Sequence, residues 1–149
     1  MATSFEQIED LAFVTIQDYK LDRLYKASPA DWSVVVGGMV ARAALKFPEC
    51  EKDLAYDLES MSFTADLSAE EINILVYLFI EIWIEKVAQN LTQIVSTMTP
   101  SDAKRTSVPA MVKEQQYKLD VAREKNRQRI TEYSWRHAPF ERWANGVFF

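Results

Sequence analysis

With 149 residues, 48% of them hydrophobic, and Cys50 as its single cysteine, the chain can bury a full apolar core and cannot form an internal disulfide. Its formal net charge of −5 disfavours a general electrostatic binder of nucleic acid. The charge is uneven: residues 1–101 carry 7 Lys+Arg against 16 Asp+Glu and residues 102–149 carry 10 against 6, which predicts an acidic body and a basic arm meeting different surroundings.

The opening residues Met1 to Glu6 lack a positively charged lead and an apolar run, so no signal peptide is expected. Thr3 and Glu6 have the spacing of a capping box, and Phe5, Ile8, Leu11, Ala12, Ile16 and Tyr19 recur at the helical interval. A helix is predicted from about Ser4 to about Tyr25. Ser28-Pro29 places a cap residue before a proline at the first helical position, where the missing N–H costs nothing. The helix that follows carries Trp32, Val36, Met39, Val40, Ala43 and Phe47 on one face. Gly37-Gly38 lies inside it and leaves two readings open, a close crossing by another helix or a bend.

Phe47-Pro48 predicts a break, because the residue before proline is pushed out of the helical region. Glu49 to Asp66 is acidic and ambiguous: a short helix over Glu49–Leu58 is one reading, followed by a loop through Ser60–Thr64. Ser68 with Glu71 is a second capping box, and it opens a helix at Ala69 that is predicted to continue to about Thr97. Ile72, Leu75, Val76, Phe79 and Trp83 fall on a different side of the helical wheel from Ile74 and Leu78, so this helix is apolar nearly all round and is predicted to be central. Val76–Ile80 and Ile82–Ile84 are also good strand formers; the cap, the acidic first turn and the length favour helix. The Ile72–Ile84 run of 13 residues contains Asn73 and Glu81 and falls short of the roughly 20 that a spanning helix needs. A soluble protein without a membrane partner is therefore expected.

Thr97 to Ser107 is turn-rich and polar, and a last helix is predicted from Val108-Pro109 to about Tyr133. Its apolar stripe is narrow: Val112, Gln116, Leu119, Ala122 or Arg123, Asn126, Ile130 and Tyr133. The rest of its surface is charged, as in a helix that packs by one edge or against another subunit. The final fifteen residues hold five aromatics, Trp135, Phe140, Trp143, Phe148 and Phe149, which must bury their rings in a groove of this chain or in a neighbour. The fold class is all-α: a helical bundle over 1–100, then the basic helix and a C-terminal docking arm over 101–149.

The residue pattern offers no catalytic constellation. His137 is the one histidine, no Cys/His set has zinc spacing, and no glycine-rich phosphate loop or nucleophile elbow occurs. The carboxylates Glu49, Glu51, Asp53, Asp57 and Glu59 lack the alternation and glycine of a calcium loop and read as a solvated acidic face. Glu81 and Glu85, one turn apart, read as a salt bridge or as the one exposed edge of the central helix, without the Glu-to-His spacing of bundle metal sites. No cofactor, no metal and no enzymatic activity are expected.

The positions Phe47, Cys50, Asp53-Leu54, Phe63, Asp66-Leu67, Glu71-Ile72, Ile74-Leu75 and Glu81-Ile82-Trp83, with the loop Ser101–Ser107 and the charged helix Lys118–Arg129 ending in Tyr133-Ser134, resemble the small helical proteins of tailed-phage and prophage morphogenesis clusters. The likeness spans roughly residues 45–134. It implies a virion structural protein, a head-to-tail connector (adaptor, neck) subunit made in the host cytoplasm and built into the virion. It further implies a homo-oligomeric ring, a dodecamer for a connector, that binds the portal protein and neighbouring tail proteins while DNA only passes through the channel. On that reading Trp135, Phe140, Trp143, Phe148 and Phe149 are the partner-binding anchors, and Arg123, Lys125, Arg127 and Arg129 are electrostatic guides. Alternatives are another phage assembly component, such as a baseplate or tail-completion protein or a tail-assembly chaperone, and a helical regulator binding nucleic acid through Lys104–Arg129.

Overall fold

The structure, a computed structural model, describes residues 2–16, 26–97 and 108–137, with the side chains of 91–97 and 108–109 outside that description. Its elements are α1 (Phe5–Ile16), α2 (Pro29–Leu45), β1 (Tyr56–Asp57), β2 (Ser62–Phe63), α3 (Ala69–Thr97) and α4 (Val108–Arg136). The architecture is all-α apart from the β1–β2 hairpin. The expected extension of α1 to Tyr25, the connection over Met98–Ser107 and the aromatics beyond His137 lie outside the described residues.

α3 is the central helix, and α1, α2 and α4 all pack on it. Its capping box forms as the spacing predicts: the Ser68 N–H donates to Glu71 Oε1 at 2.8 Å and the Glu71 N–H donates to Ser68 Oγ at 3.2 Å. Ile74, Leu75, Val76, Leu78, Phe79 and Ile82 are buried, so its apolar residues are used on several sides, as a helix surrounded by protein requires. Residues two apart on a helix project roughly 200° from one another. Phe79 accordingly meets Phe13 of α1 edge-on, with ring centroids 6.0 Å apart, while Tyr77 and Glu81 face α4 on the opposite flank.

α2 starts where Pro29 permits. Ser28 has extended backbone angles at the cap position, and its hydroxyl donates to Asp31 Oδ2 at 2.8 Å instead of capping a backbone N–H. Trp32 packs on Phe13 with centroids 4.7 Å apart, and the helix gives way at Lys46, before Phe47-Pro48.

Two expectations are corrected here. Thr3 does not cap α1. It is buried, its Oγ1 accepts the Leu67 N–H at 2.8 Å, its carbonyl accepts the Phe63 N–H at 2.8 Å and its own N–H donates to the Ala65 carbonyl at 3.2 Å. The first residues thus lie along the hairpin as an edge, with Ser4 bridged to Ser62, and α1 begins only after that pairing is satisfied. Nor is there a helix over Glu49–Leu58. Tyr56 pairs with Phe63 and Asp57 with Ser62, antiparallel. The turn is set by Asp57, whose Oδ1 accepts the Glu59 N–H at 2.9 Å and whose Oδ2 accepts the Ser60 hydroxyl at 3.1 Å, a side-chain-to-backbone arrangement that competes with helix. Phe63 is fully buried against Phe5, with centroids 5.0 Å apart, which draws the hairpin onto the core.

The glycine pair is resolved by the same hairpin. Met61 closes the turn with φ 49°, and its side chain lies against Gly37, where an added Cβ would meet Met61 Sδ at 3.0 Å. Among the described residues the closest approach is that of the Met61 thioether, with the Phe5 ring at the start of α1 next at 3.9 Å. Gly38 faces open space. Gly38→Ala is therefore expected to stabilise the protein by about 1 kcal/mol through helix propensity. Gly37→Ala gains the same propensity and loses it again by displacing Met61, and Gly37→Val is expected to destabilise by about 1 to 3 kcal/mol through overpacking. Urea unfolding of the three variants checks the order.

Candidate functional site

The C-terminal end of α4 meets the N-terminal end of α3 and the Phe47–Leu54 loop around a buried carboxylate. Glu71 sits in the first turn of α3 with 2% of its surface exposed. Besides the Ser68 N–H, it receives the Cys50 thiol at 3.1 Å, the Tyr133 hydroxyl at 3.0 Å and the Lys52 ammonium, 3.2 Å away. Burial alone would push the Glu71 carboxyl up. The hydrogen bonds from the Ser68 backbone, the Cys50 thiol and the Ser68 and Lys52 side chains outweigh it and hold the group at about 2, below its ordinary 4.5. The neighbours move the other way. Burial and the bond to Glu71 push the Cys50 thiol up to about 11 from 9.0, so it stays protonated and is a poor nucleophile at neutral pH. Burial, reinforced by the bond to Glu71, also raises Tyr133.

Tyr133 is fully buried and uses its hydroxyl twice, donating to Glu71 and accepting the Glu51 N–H at 2.9 Å. Its ring packs on Phe47, with centroids 5.1 Å apart, and on the other side against His137 at 4.3 Å. His137 Nδ1 lies 3.0 Å from Glu51 Oε2 and its Nε2 lies 3.6 Å from Glu70 Oε2, while the Arg136 guanidinium pairs with Glu70 Oε1. Acids at the start of α3 and bases at the end of α4 also complement the dipoles of the two antiparallel helices.

About three turns along α3 a second polar group ties α4 down. Glu81, 5% exposed, accepts from Lys46 Nζ at 2.6 Å and from Asn126 Nδ2 at 3.3 Å, and Asn126 also donates to the Tyr77 carbonyl at 3.1 Å. The salt-bridge reading of Glu81 therefore holds, and the exposed-edge reading does not. Arg129 donates to Asn126 Oδ1 at 2.9 Å with its guanidinium carbon 3.6 Å from the centre of the Tyr77 ring. Leu119, Asn126 and Tyr133 of the expected stripe are buried, whereas Gln116 and Arg123 are exposed.

The sequence-based partner residues are distributed unevenly. Arg123 lies 3.7 Å from Glu85, and Arg127 makes a two-pronged pair with Glu124 on the same helix at 2.6 and 3.0 Å. Arg129 is occupied by Asn126 and Tyr77. Neither Arg129 nor Lys125 has an acidic partner among the described residues, and Lys125 makes no hydrogen bond or ring contact there either. It edges a shallow apolar groove of about 330 Å³ between the outer sides of α3 and α4. Trp135 is 55% exposed, two residues beyond the buried Tyr133. Phe140, Trp143, Phe148 and Phe149 lie outside the described residues. The residues that sequence reasoning left unassigned are Glu71, Tyr133 and Asn126. The capping box marked the first and the stripe marked the other two, but no spacing rule links positions 62 residues apart, as Glu71 and Tyr133 are.

Among the described residues no group of three or more His, Cys, Asp or Glu side chains is placed to hold a metal ion, and no helix is long and apolar enough to cross a membrane. Comparison of the chain with protein-family models, with curated proteins and with solved structures gives no match.

The Glu71 group carries a pH dependence of definite sign. A carboxyl held below its unfolded value contributes stability that is complete above about pH 4.5 and is lost as pH falls through about 2. Glu71→Gln should flatten that acid limb in unfolding measurements between pH 2 and 6. Tyr133→Phe, which strands a buried carboxylate oxygen and the Glu51 N–H, is expected to cost about 1 to 3 kcal/mol at pH 7.

Proposed function

We propose that this chain is a virion structural protein, a subunit of a head-to-tail connector (adaptor) ring of tailed phages, and that it acts by assembly and not by catalysis. The observation that carries this reading is the root of the last helix. Tyr133 is fixed in the core at both of its hydrogen-bonding positions, and Trp135 two residues later is more than half exposed. A helix end held so firmly, directly before a stretch containing Phe140, Trp143, Phe148 and Phe149, suits a docking arm whose base must not give way under load. The polar network supports the same reading, since Cys50 is held protonated and the buried Glu71 and Tyr133 satisfy one another instead of facing a cavity. Arg123, Arg127 and Arg129 are taken up by contacts within the chain, which counts against a phosphate-driven nucleic-acid mode and in favour of protein recognition.

In this role the bundle supplies a rigid body, and the aromatics of 135–149 insert into pockets of the portal or the next ring protein. Replacing Trp143 and Phe148 by Ala in the full chain should leave the helical circular dichroism and unfolding midpoint unchanged. Binding to a phage portal ring should weaken by 100-fold or more, on the order of 3 kcal/mol, as expected for buried aromatic anchors. Co-sedimentation with portal particles and electron microscopy of the mixture read this out. Undiminished portal decoration by the variant, or no portal binding by the unmodified chain, contradicts the proposal.

A further inference from the structure

The outer groove between α3 and α4 has an apolar floor of Ile80, Ile84, Val121 and Ala122, with Tyr117 at its margin 71% exposed. Three cations stand around it: Lys125, Lys118 in an exposed pair with Glu114, and Arg129 bonded to Asn126. The opposite flank of the molecule carries the inverse pattern. On α1, Leu11 and Val14 are 52% and 74% exposed, and Glu6 and Asp10, one turn apart, are exposed beside them. Among the described residues no cation pairs with Glu6, Glu9 or Asp10. Burial, with the like charges of Asp10 and Glu6 adding to it, pushes Glu9 up to about 7 from 4.5. An exposed apolar pair framed by acids and an apolar groove framed by bases are complementary in both respects.

We infer that the α3–α4 groove is the docking site for the α1 face of a second copy of this chain. The contact is between molecules, because α1 and α4 lie on opposite flanks of α3: Phe79 points to one and Tyr77 and Glu81 to the other, so α1 cannot reach its own groove. Leu11 and Val14 enter the groove over Ile80, Ile84 and Val121, Asp10 and Glu6 meet Lys125 and Lys118, and the Tyr117 ring is covered. Because the two patches differ, the contact is heterologous: each copy offers a groove on one side and an α1 face on the other, and successive copies add head to tail until a ring closes or a filament grows. This deepens the proposed ring-forming role by naming the surface through which copies meet, and it uses neither the aromatics beyond His137 nor the Glu71 group.

The test is a charge swap read by sedimentation velocity. The full-length protein is expected to self-associate at concentrations up to about 100 µM, less so when salt is raised from about 50 to about 500 mM. Asp10→Lys and Lys125→Glu, both at exposed positions, should each weaken association by about tenfold or more with unchanged helical content, and the two changes combined in one chain should restore most of it. Leu11→Ser with Val14→Ser should abolish association in the same assay. A monomer at all concentrations overturns the inference, as does an assembly indifferent to the swap. In that second case the assembly role survives and only the surface is wrong, whereas loss of portal binding on its own bears on the role and leaves the surface untouched.

Discussion

Glu71 is an ionised carboxylate with 2% of its surface exposed, and a charge so far removed from water persists only where donors replace its hydration shell. Four groups do so: the Ser68 N–H at the helix start, Cys50 and Lys52 from the loop after α2, and Tyr133 from the end of α4. These partners come from parts of the chain far apart in sequence, so the carboxylate fixes the mutual placement of α3, α4 and the loop between α2 and the hairpin. Removal of any one partner leaves the charge under-compensated, which makes the group directional where the surrounding apolar contacts are not. Packing supplies the bulk of the stability; this group decides which packing is adopted.

The same arrangement recurs at Glu81, where Lys46 of the α2 exit and Asn126 of α4 converge on a second buried carboxylate of α3. A helix apolar on nearly all sides could slide or rotate against its neighbours at small cost, because one aliphatic contact replaces another. Two carboxylates about three turns apart, each with a partner on α4, pin both rotation and register. The amphipathic signal of α4 is correspondingly faint: its seam is held by Leu119, Asn126 and Tyr133, two of them polar. Its remaining surface is left for charge, and part of that charge is spent within the chain on Glu85, Glu124 and Glu70.

The parts of the fold written in local sequence were the legible ones. Ser68 and Glu71 announced the start of α3 through a motif confined to four residues, Pro29 announced α2, and the apolar periodicity placed Leu119, Asn126 and Tyr133 on one seam. Thr3 had the same capping spacing as Ser68, yet it was recruited by the Phe63, Ala65 and Leu67 backbone, because pairing that leaves no buried N–H unmet outweighs one exposed cap. The hairpin was hidden for the same reason: two-residue strands carry no periodicity, and Asp57 signals a turn only once Tyr56 and Phe63 are known to pair. Gly37-Gly38 left a close crossing by a helix and a bend both open, and the approaching atom belongs to Met61, 24 positions away in a loop whose conformation the sequence pattern left open. At the candidate site the charges of α4 were readable and their partners were not, since ion pairing to Glu85 or stacking on Tyr77 depends on the register of two helices.

A rigid helical body, a firmly rooted last helix, an acidic face on α1 and a basic-rimmed groove on the far flank fit the proposed role of a protein that works through contacts with other chains. The end of α4 is locked to the core by Tyr133 and Glu71 instead of fraying as helix ends ordinarily do. Native-state hydrogen exchange of the α4 amides tests this directly. The account predicts that amides of residues 130–136 exchange nearly as slowly as the centre of α3 and become fast selectively in Tyr133→Phe. Rapid exchange of that turn in the unmodified protein, or protection that persists in Tyr133→Phe, would contradict it.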